Sequence, residues 1–234
     1  MQIVILCAGE GRRLGAGIPK CLVSINGVSI LENIVRSITR INKLADIIVV
    51  TGFKSELVNQ EVDRLRNTVH GFIQTVHNPN AQRFSIVRSM LVTLPLIYDE
   101  HVLRISGDVF FAKNNTLASL MYEKRTCIAI QPSPPFRDKT PLVDFTLNGQ
   151  LIGIRLDTPS EQLDWEWADM EVYRNGDFKK LLSLGSNYES FGFYHFSLIN
   201  NYLAQGMKIY CRGIEGAFEI DTPEDLDYVA RNCS

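Results

Sequence analysis

Apolar residues along the chain follow two alternating rhythms. Continuous runs at 3–6, 46–51, 71–76 and 101–106 have the length of strands buried on both faces, and three of them lead into glycine, at positions 9, 52 and 107. Between these runs the apolar positions recur three and four apart. They are Ile30, Leu31, Ile34, Val35, Ile38 and Ile41; then Leu57, Val58, Val62 and Leu65 behind Ser55 as an N-cap; then Ile86, Met90, Leu91 and Leu94, stopped at Pro95. That spacing predicts amphipathic helices, and the strand–helix alternation predicts an α/β fold. Its form is a three-layer, doubly wound, mixed but mostly parallel sheet.

Beyond position 125 the rhythm loosens. Residues 127–130 read as a strand, and the proline-rich run 131–139 reads as a loop. Two apolar segments, 142–147 and 151–156, flank Asn148-Gly149, a strong hairpin signal. The stretch 157–187 is first acidic and aromatic, then helical through Phe178, Leu181, Leu182 and Leu184. A helix over 196–203 ended by Gly206, a strand over 208–211, and a last helix capped by Thr222 with Pro223 at its first position complete the chain. No internal repeat, low-complexity tract or linker divides it. One domain, 1–234, is expected, with a ligand-binding half at 1–125 and a second half at 126–215 that faces another substrate.

Composition narrows the class. With 234 residues and 45% apolar content, a sizeable core is expected. The formal net charge of −2 provides no basic field for a polynucleotide, so no nucleic-acid partner is expected. No apolar run reaches bilayer-spanning length and no leader pattern precedes the first strand; the expectation is a cytoplasmic protein with no membrane partner. The five cysteines are odd in number and scattered, and they read as reduced core filler.

The chemistry concentrates after the first strand. Gly9 and Gly11 allow consecutive backbone N–H groups to turn inward as an anion-binding concavity, with Arg12, Arg13 and Lys20 supplying positive charge. A strand-to-loop turn with surface cations is the plainer alternative. A Walker A loop lacks its lysine–serine end here, and a dinucleotide fingerprint lacks its third glycine. Asp108 follows the strand at 101–106, where a carboxylate beside phosphates would need a divalent cation between them, unless it is merely a turn or capping residue. Glu219 and Asp221 alternate along a short extended stretch and share a face.

In Leu6, Ala8, Gly9, Gly11, Arg13, Leu14, Pro19 and Lys20, with Cys7 where alanine is more usual, the chain resembles the nucleotidyltransferase signature. The run Glu219-Ile220-Asp221-Thr222-Pro223-Glu224-Asp225-Leu226 resembles the closing motif of small nucleotidyltransferases. Asn78-Pro79 and the segment beginning at Ser85 resemble the serine-led helix start that helps hold a pyrimidine in cytidylyltransferases, where Ser85 also reads as an N-cap. In pattern the chain is most similar to cytidylyltransferases acting on phosphocholine, phosphonates or inositol phosphate.

The resemblance implies a Rossmann-like fold of the nucleotide-diphospho-sugar transferase type. It also implies Mg2+ held by Asp108 and Asp221 with Glu219 as a third ligand, and Lys20 and Arg13 as catalytic groups. Nucleotide contacts are then expected from Leu6, Ala8, Gly9, Glu10, Gly11, Arg12, Arg13, Lys20, Asn78, Ser85, Gly107 and Asp108. The expected partners are a nucleoside triphosphate, CTP favoured, and a small phosphorylated acceptor, such as phosphocholine or 2-aminoethylphosphonate. A sugar 1-phosphate with UTP or GTP is the alternative, and a homodimer is among the expected assemblies.

The acceptor is the least marked feature. Trp165, Trp167, Asp164, Glu166, Asp169 and Glu171 have the chemistry of an aromatic cage for an amine cation, or of core aromatics beside solvated acids. Arg137 and Lys139 on the proline-rich loop are candidates to clamp an acceptor phosphate instead. A glycosyltransferase of related architecture would carry an Asp-x-Asp motif, whereas Asp108 is followed by Val109-Phe110; a nucleotide sensor would not need Lys20 and the acid pair.

Overall fold

The structure is a computed structural model that describes residues 1–81, 86–113, 115–133, 140–159, 164–185 and 195–232. The elements in order are β1 (Gln2–Cys7), β2 (Ser24–Ile25), β3 (Val28–Ser29), α1 (Ile30–Ile41), β4 (Asp46–Thr51), α2 (Ser55–Arg66), β5 (Phe72–His77) and α3 (Ile86–Leu91). Then come β6 (Val102–Ser106), β7 (Val109–Phe111), α4 (Ala118–Met121), β8 (Cys127–Pro132), β9 (Thr140–Phe145), β10 (Leu151–Asp157) and β11 (Trp165–Tyr173). α5 (Asp177–Gly185), α6 (His195–Ala204), β12 (Tyr210–Gly213), β13 (Ala217–Glu219) and α7 (Pro223–Asn232) follow.

Among the described residues the main sheet runs β10-β9-β11-β6-β1-β4-β5, with β8 joined to β11 and β12. β6, β1, β4 and β5 are parallel, whereas β11 is antiparallel to β6. Period two sorts the side chains of the central strands to two faces. Ile3, Ile5, Ile47, Val49, Leu103 and Ile105 pack in one core with Ile34, Val35 and Ile38 of α1, Val58 and Val62 of α2, and Val229 of α7. Val4, Leu6, Ile48, Val50 and Val102 pack in the other with Val87 and Met90 of α3, Leu181 of α5 and Leu198 of α6. The sheet is thus the middle of three layers, and burial on both sides is why its strands read as unbroken apolar runs.

The chain moves outward from β1 to β4 to β5 and then returns to place β6 on the other side of β1. In open α/β sheets such a reversal opens a crevice at the carboxyl ends of the two strands concerned.

Two expectations need correction, and one stretch without an expected element proves to be a strand. Ser55 is the first residue of α2, and Lys54 holds the cap position with a left-handed φ of 44° and no side-chain cap hydrogen bond. α3 ends at Leu91, and Pro95 lies in a separate 3-10 turn, Leu94–Leu96, where its missing N–H disrupts no helix. The acidic, aromatic stretch after 164 is the nine-residue strand β11, central to the sheet. Its register shifts between Trp167 and Glu171, and Asp169 adopts a φ of 49° there. The four described cysteines are free, as expected, and Cys233 lies outside the described residues. Among the described residues no helix is long and apolar enough to cross a membrane.

Candidate functional site

Two adjacent strand ends make the floor of the site. β1 delivers Cys7, Ala8 and the glycine loop, and β6 delivers Ser106, Gly107 and Asp108. Gly107 N–H donates to Leu6 O at 3.0 Å, and a Cβ at position 107 would stand only 2.5 Å from that oxygen, so the approach requires glycine. Gly11 has φ +65° and lies against Lys20, where an added Cβ would be 3.0 Å from Lys20 Cβ. Short 3-10 turns at Arg12–Leu14 and Lys20–Leu22 then present the basic side chains.

The far end of the chain supplies the opposing wall. β13 pairs antiparallel with β7, with Glu219 opposite Val109, and Ile220 N–H donates to Asp108 O at 2.9 Å. This pairing brings Asp221 level with Asp108. The Asp225 carboxylate accepts from the N–H groups of Asp221 and Thr222 at 3.0 and 2.9 Å, while Thr222 Oγ1 accepts from Asp225 N–H at 3.2 Å. The cap of α7 thereby also fixes the backbone that carries Asp221.

Charges meet between these walls. Lys20 Nζ lies 2.7 Å from Asp108 Oδ2 and also contacts Asp221 Oδ1, and an Arg13 Nη lies 2.7 Å from Asp221 Oδ2. Burial opposes ionisation of both Asp108 and Lys20, but their attraction wins: Asp108 is held below the usual carboxylate range and Lys20 is raised. Oxygens of Asp108, Glu219 and Asp221 lie within 4.8 Å of one another, and Asp108 Oδ1 is buried with no hydrogen-bond partner among the described residues. Three hard carboxylate donors, one with an unengaged buried oxygen, fit a cation of the magnesium class.

Leu6, Ala8, Gly9, Gly11, Arg12, Arg13, Lys20, Gly107, Asp108 and Asp221 all line a single cleft of about 390 Å³. Glu10 pairs instead with Arg12 at 2.7 Å. Asn78 is not among the lining residues: its Nδ2 donates to Ser89 Oγ at 2.9 Å and its Oδ1 accepts from Asn80 N–H at 3.0 Å, which braces the wall from behind. Ala81, Ile86 and Ser89 form part of that wall, which the sequence did not mark because small and apolar lining residues carry no chemical signal. Ser85, Arg137 and Lys139 lie outside the described residues.

Trp165, Trp167 and Asp169 do not line this cleft but sit along β11. Trp165 packs edge-on against Phe145, with ring centroids 6.2 Å apart. Trp167 is buried beside His195 and the Arg104 guanidinium, each 5.3 Å from its ring. Arg104, fully buried, donates to Glu171 Oε2 and Asp169 Oδ1, both at 2.6 Å, and lies 2.9 Å from His195 Nδ1. Burial pushes the Glu171 carboxyl up to about 7 against the pull of Arg104. Burial and then Arg104 push His195 well down, leaving it neutral. The sequence marked Trp167, Asp169 and Glu171 as an amine cage but not the partners that engage these acids, Arg104 and His195; the signal was Arg104 itself, a charge inside an otherwise apolar strand.

Comparison with known proteins decides the kinship. The family model of the MobA-like NTP transferase domain matches residues 3–150. The chain belongs to this family. The chain is 30% identical over 125 residues to the bifunctional protein GlmU of Blochmanniella pennsylvanica, a match covering 53% of this chain and 26% of that protein. It is 27% identical over 130 residues to that of Francisella philomiragia. The chain spans about a quarter of the length of these curated relatives.

Solved structures of the same fold include the CTP:phosphocholine cytidylyltransferase of Streptococcus pneumoniae, with TM-score 0.78, 18% identity, and coverage of 100% of this chain and 99% of that one. The inositol-1-phosphate CTP transferase of T. maritima has TM-score 0.75 and 18% identity, covering 98% and 93% of the two chains. A putative glucose-1-phosphate thymidylyltransferase of Bacillus anthracis has TM-score 0.78 and 17% identity, covering 100% and 95%. The mixed, mostly parallel sheet flanked by helices matches the nucleotidyltransferase fold.

Proposed function

We propose that this NTP transferase domain joins the nucleotidyl group of a nucleoside triphosphate, CTP first, to a small phosphate or phosphonate and releases pyrophosphate. The observation that carries the reading is the convergence of Lys20 and Arg13 with Asp108 and Asp221 in one cleft at the ends of β1 and β6.

An acceptor phosphate oxygen is already ionised near neutrality, so the reaction needs alignment and charge neutralisation more than a general base. Arg13 and the N–H groups of the glycine loop would hold the β- and γ-phosphates. Lys20 would contact the α-phosphate and the incoming oxygen, stabilising charge that builds in the transition state. Asp108 and Asp221, with Glu219 near them, would hold Mg2+. When bound, that ion would neutralise the α-phosphate and favour the in-line geometry. Asn78 would act through Ser89, as a positioning residue for the wall.

CTP is favoured because two proteins of this fold are described as a cytidylyltransferase and a CTP transferase. A sugar 1-phosphate acceptor is the second reading, favoured by the thymidylyltransferase among the same neighbours. For the acceptor, Trp165, Trp167 and Asp169 on β11, with Arg137 and Lys139, remain our proposed contacts.

The test is pyrophosphate release by the purified protein with Mg2+. CTP, UTP, GTP and dTTP would each be offered with phosphocholine, 2-aminoethylphosphonate, inositol 1-phosphate and glucose 1-phosphate. Release that depends on one acceptor is expected. Release with no pair at all, or turnover only with a nucleotide sugar, would sink the proposal.

A further inference from the structure

The carboxylates assigned to the cation already have a cation between them, and it belongs to the protein. Lys20 Nζ reaches both Asp108 and Asp221, and the three side chains are only 14%, 19% and 14% exposed. We propose that Lys20 is the resident counter-ion of this acid pair and that its ammonium and a divalent cation occupy the place in exchange. The inference rests on the reading of Asp108 and Asp221 as cation ligands.

Two carboxylates held this close in a shielded cleft repel each other unless a positive charge lies between them. The backbone cannot relieve the repulsion by letting them part. Asp108 is pinned at the end of β6, and Asp221 is held by the β7–β13 pairing and by Asp225. An ammonium suits the place because it is a compact point charge on a flexible stem, able to leave without dismantling its surroundings. Arg13 also touches Asp221, but its side chain is 72% exposed, so water screens the contact and Lys20 carries most of the compensation.

A bare cation must therefore displace Lys20 into a cleft that offers it no other carboxylate among the described lining residues. A cation arriving on a triphosphate brings its own solution, because the phosphate oxygens receive the displaced ammonium. The exchange couples the two ligands: the cation alone binds weakly, and Lys20 reaches the α-phosphate only when the cation has taken its place. The residue that serves the reaction thus also blocks its own metal site until nucleotide is present.

The experiment is titration of the whole protein with Mn2+ in the absence of nucleotide, read as free Mn2+ by electron paramagnetic resonance. Lys20→Met is expected to bind Mn2+ roughly tenfold more tightly than the wild type, because an opposing unit charge has been removed from the site. Lys20→Gln, which keeps polarity and most of the volume, should do the same and covers the case in which the methionine variant folds poorly. The gain should vanish in the double variant Lys20→Met/Asp108→Asn.

Equal affinity in the wild type and both lysine variants, lost with Asp108→Asn, overturns the exchange and leaves the cation site standing. No Mn2+ binding in the wild type or any variant, with pyrophosphate release by the wild type intact, overturns the exchange and the ligand assignment but not the reaction. No binding and no release overturns both.

Discussion

Gly107 shows how little room a single position leaves. An alanine there would place its methyl 2.5 Å from Leu6 O and 2.7 Å from Cys7 Sγ, so β1 and β6 would have to separate. Gly107→Ala should cost about 1–3 kcal/mol, the range for overpacking a rigid site. The measurement is the urea midpoint, with Gly9→Ala as control, since an added Cβ there meets nothing within 4 Å and should shift stability by less than about 0.5 kcal/mol. Equal midpoints for both variants would show that the strand ends are pliant. At this scale the sequence was informative where residue type alone signals chemistry. Arg13 and Asp108 stood out as charges near glycines and Lys20 as a charge after Pro19, and all three line the cleft. Asn78 stood out equally, yet its amide is used within the protein, because a buried carboxamide serves a neighbouring side chain as readily as a ligand.

Elements reveal a different division between what was legible and what was not. β1, β4 and β6 declared themselves as unbroken apolar runs, since both their faces are buried, and the helices α1 and α2 by period, since each buries one constant face. β11 did not, because its acids are inside. Glu166 accepts from Gln131 and Thr140, and Glu171 from Arg104, so buried charge replaced the apolar positions that a pattern requires. The hairpin of β9 and β10 around Asn148-Gly149 was legible, but the protection of its outer strand was not. β10 ends the sheet, with Ile152 62% exposed, and Asn200 of α6 covers its edge. The Asn200 amide accepts from Ile154 N–H at 2.9 Å and donates to Ile154 O at 2.7 Å, which mimics a paired strand. Asn200→Ala should lower stability by about 1–2 kcal/mol and promote association at high concentration. Light scattering against concentration checks this, and a variant that stays dispersed at the wild-type midpoint would remove the amide's protective role.

Across the whole molecule, distant segments are joined by charges as well as by the sheet. Glu123, after α4, accepts from the N–H groups of Lys124 and Arg125 and from Arg125 Nε, and it holds Arg212 of β12 at 2.6 Å. Burial opposes its charge, but these partners pull the carboxyl from its ordinary 4.5 down to about 2. A lowered carboxyl stabilises the fold above its unfolded value, and the contribution is lost as pH falls through the folded one. Glu123→Gln should therefore be less stable than the wild type by about 1.5–3 kcal/mol at pH 7, the range for hydrogen bonds to a charged group. The deficit should shrink between pH 4.5 and pH 2, as read by denaturation at each pH. A deficit that stays constant with pH would assign the loss to packing.

The parts of the site were legible in its residues, and their assembly only through the family resemblance. No local pattern says that a three-residue strand at 217–219 pairs with another at 109–111, yet that pairing, with the Asp225 cap, sets Asp221 beside Asp108. The same pairing has a consequence for how the protein comes into being. On the ribosome the glycine loop emerges long before the segment that carries Asp221, so a nascent chain can form its central sheet while the two walls of the cleft stay unjoined. Competence would arrive late and abruptly, with the docking of a few residues.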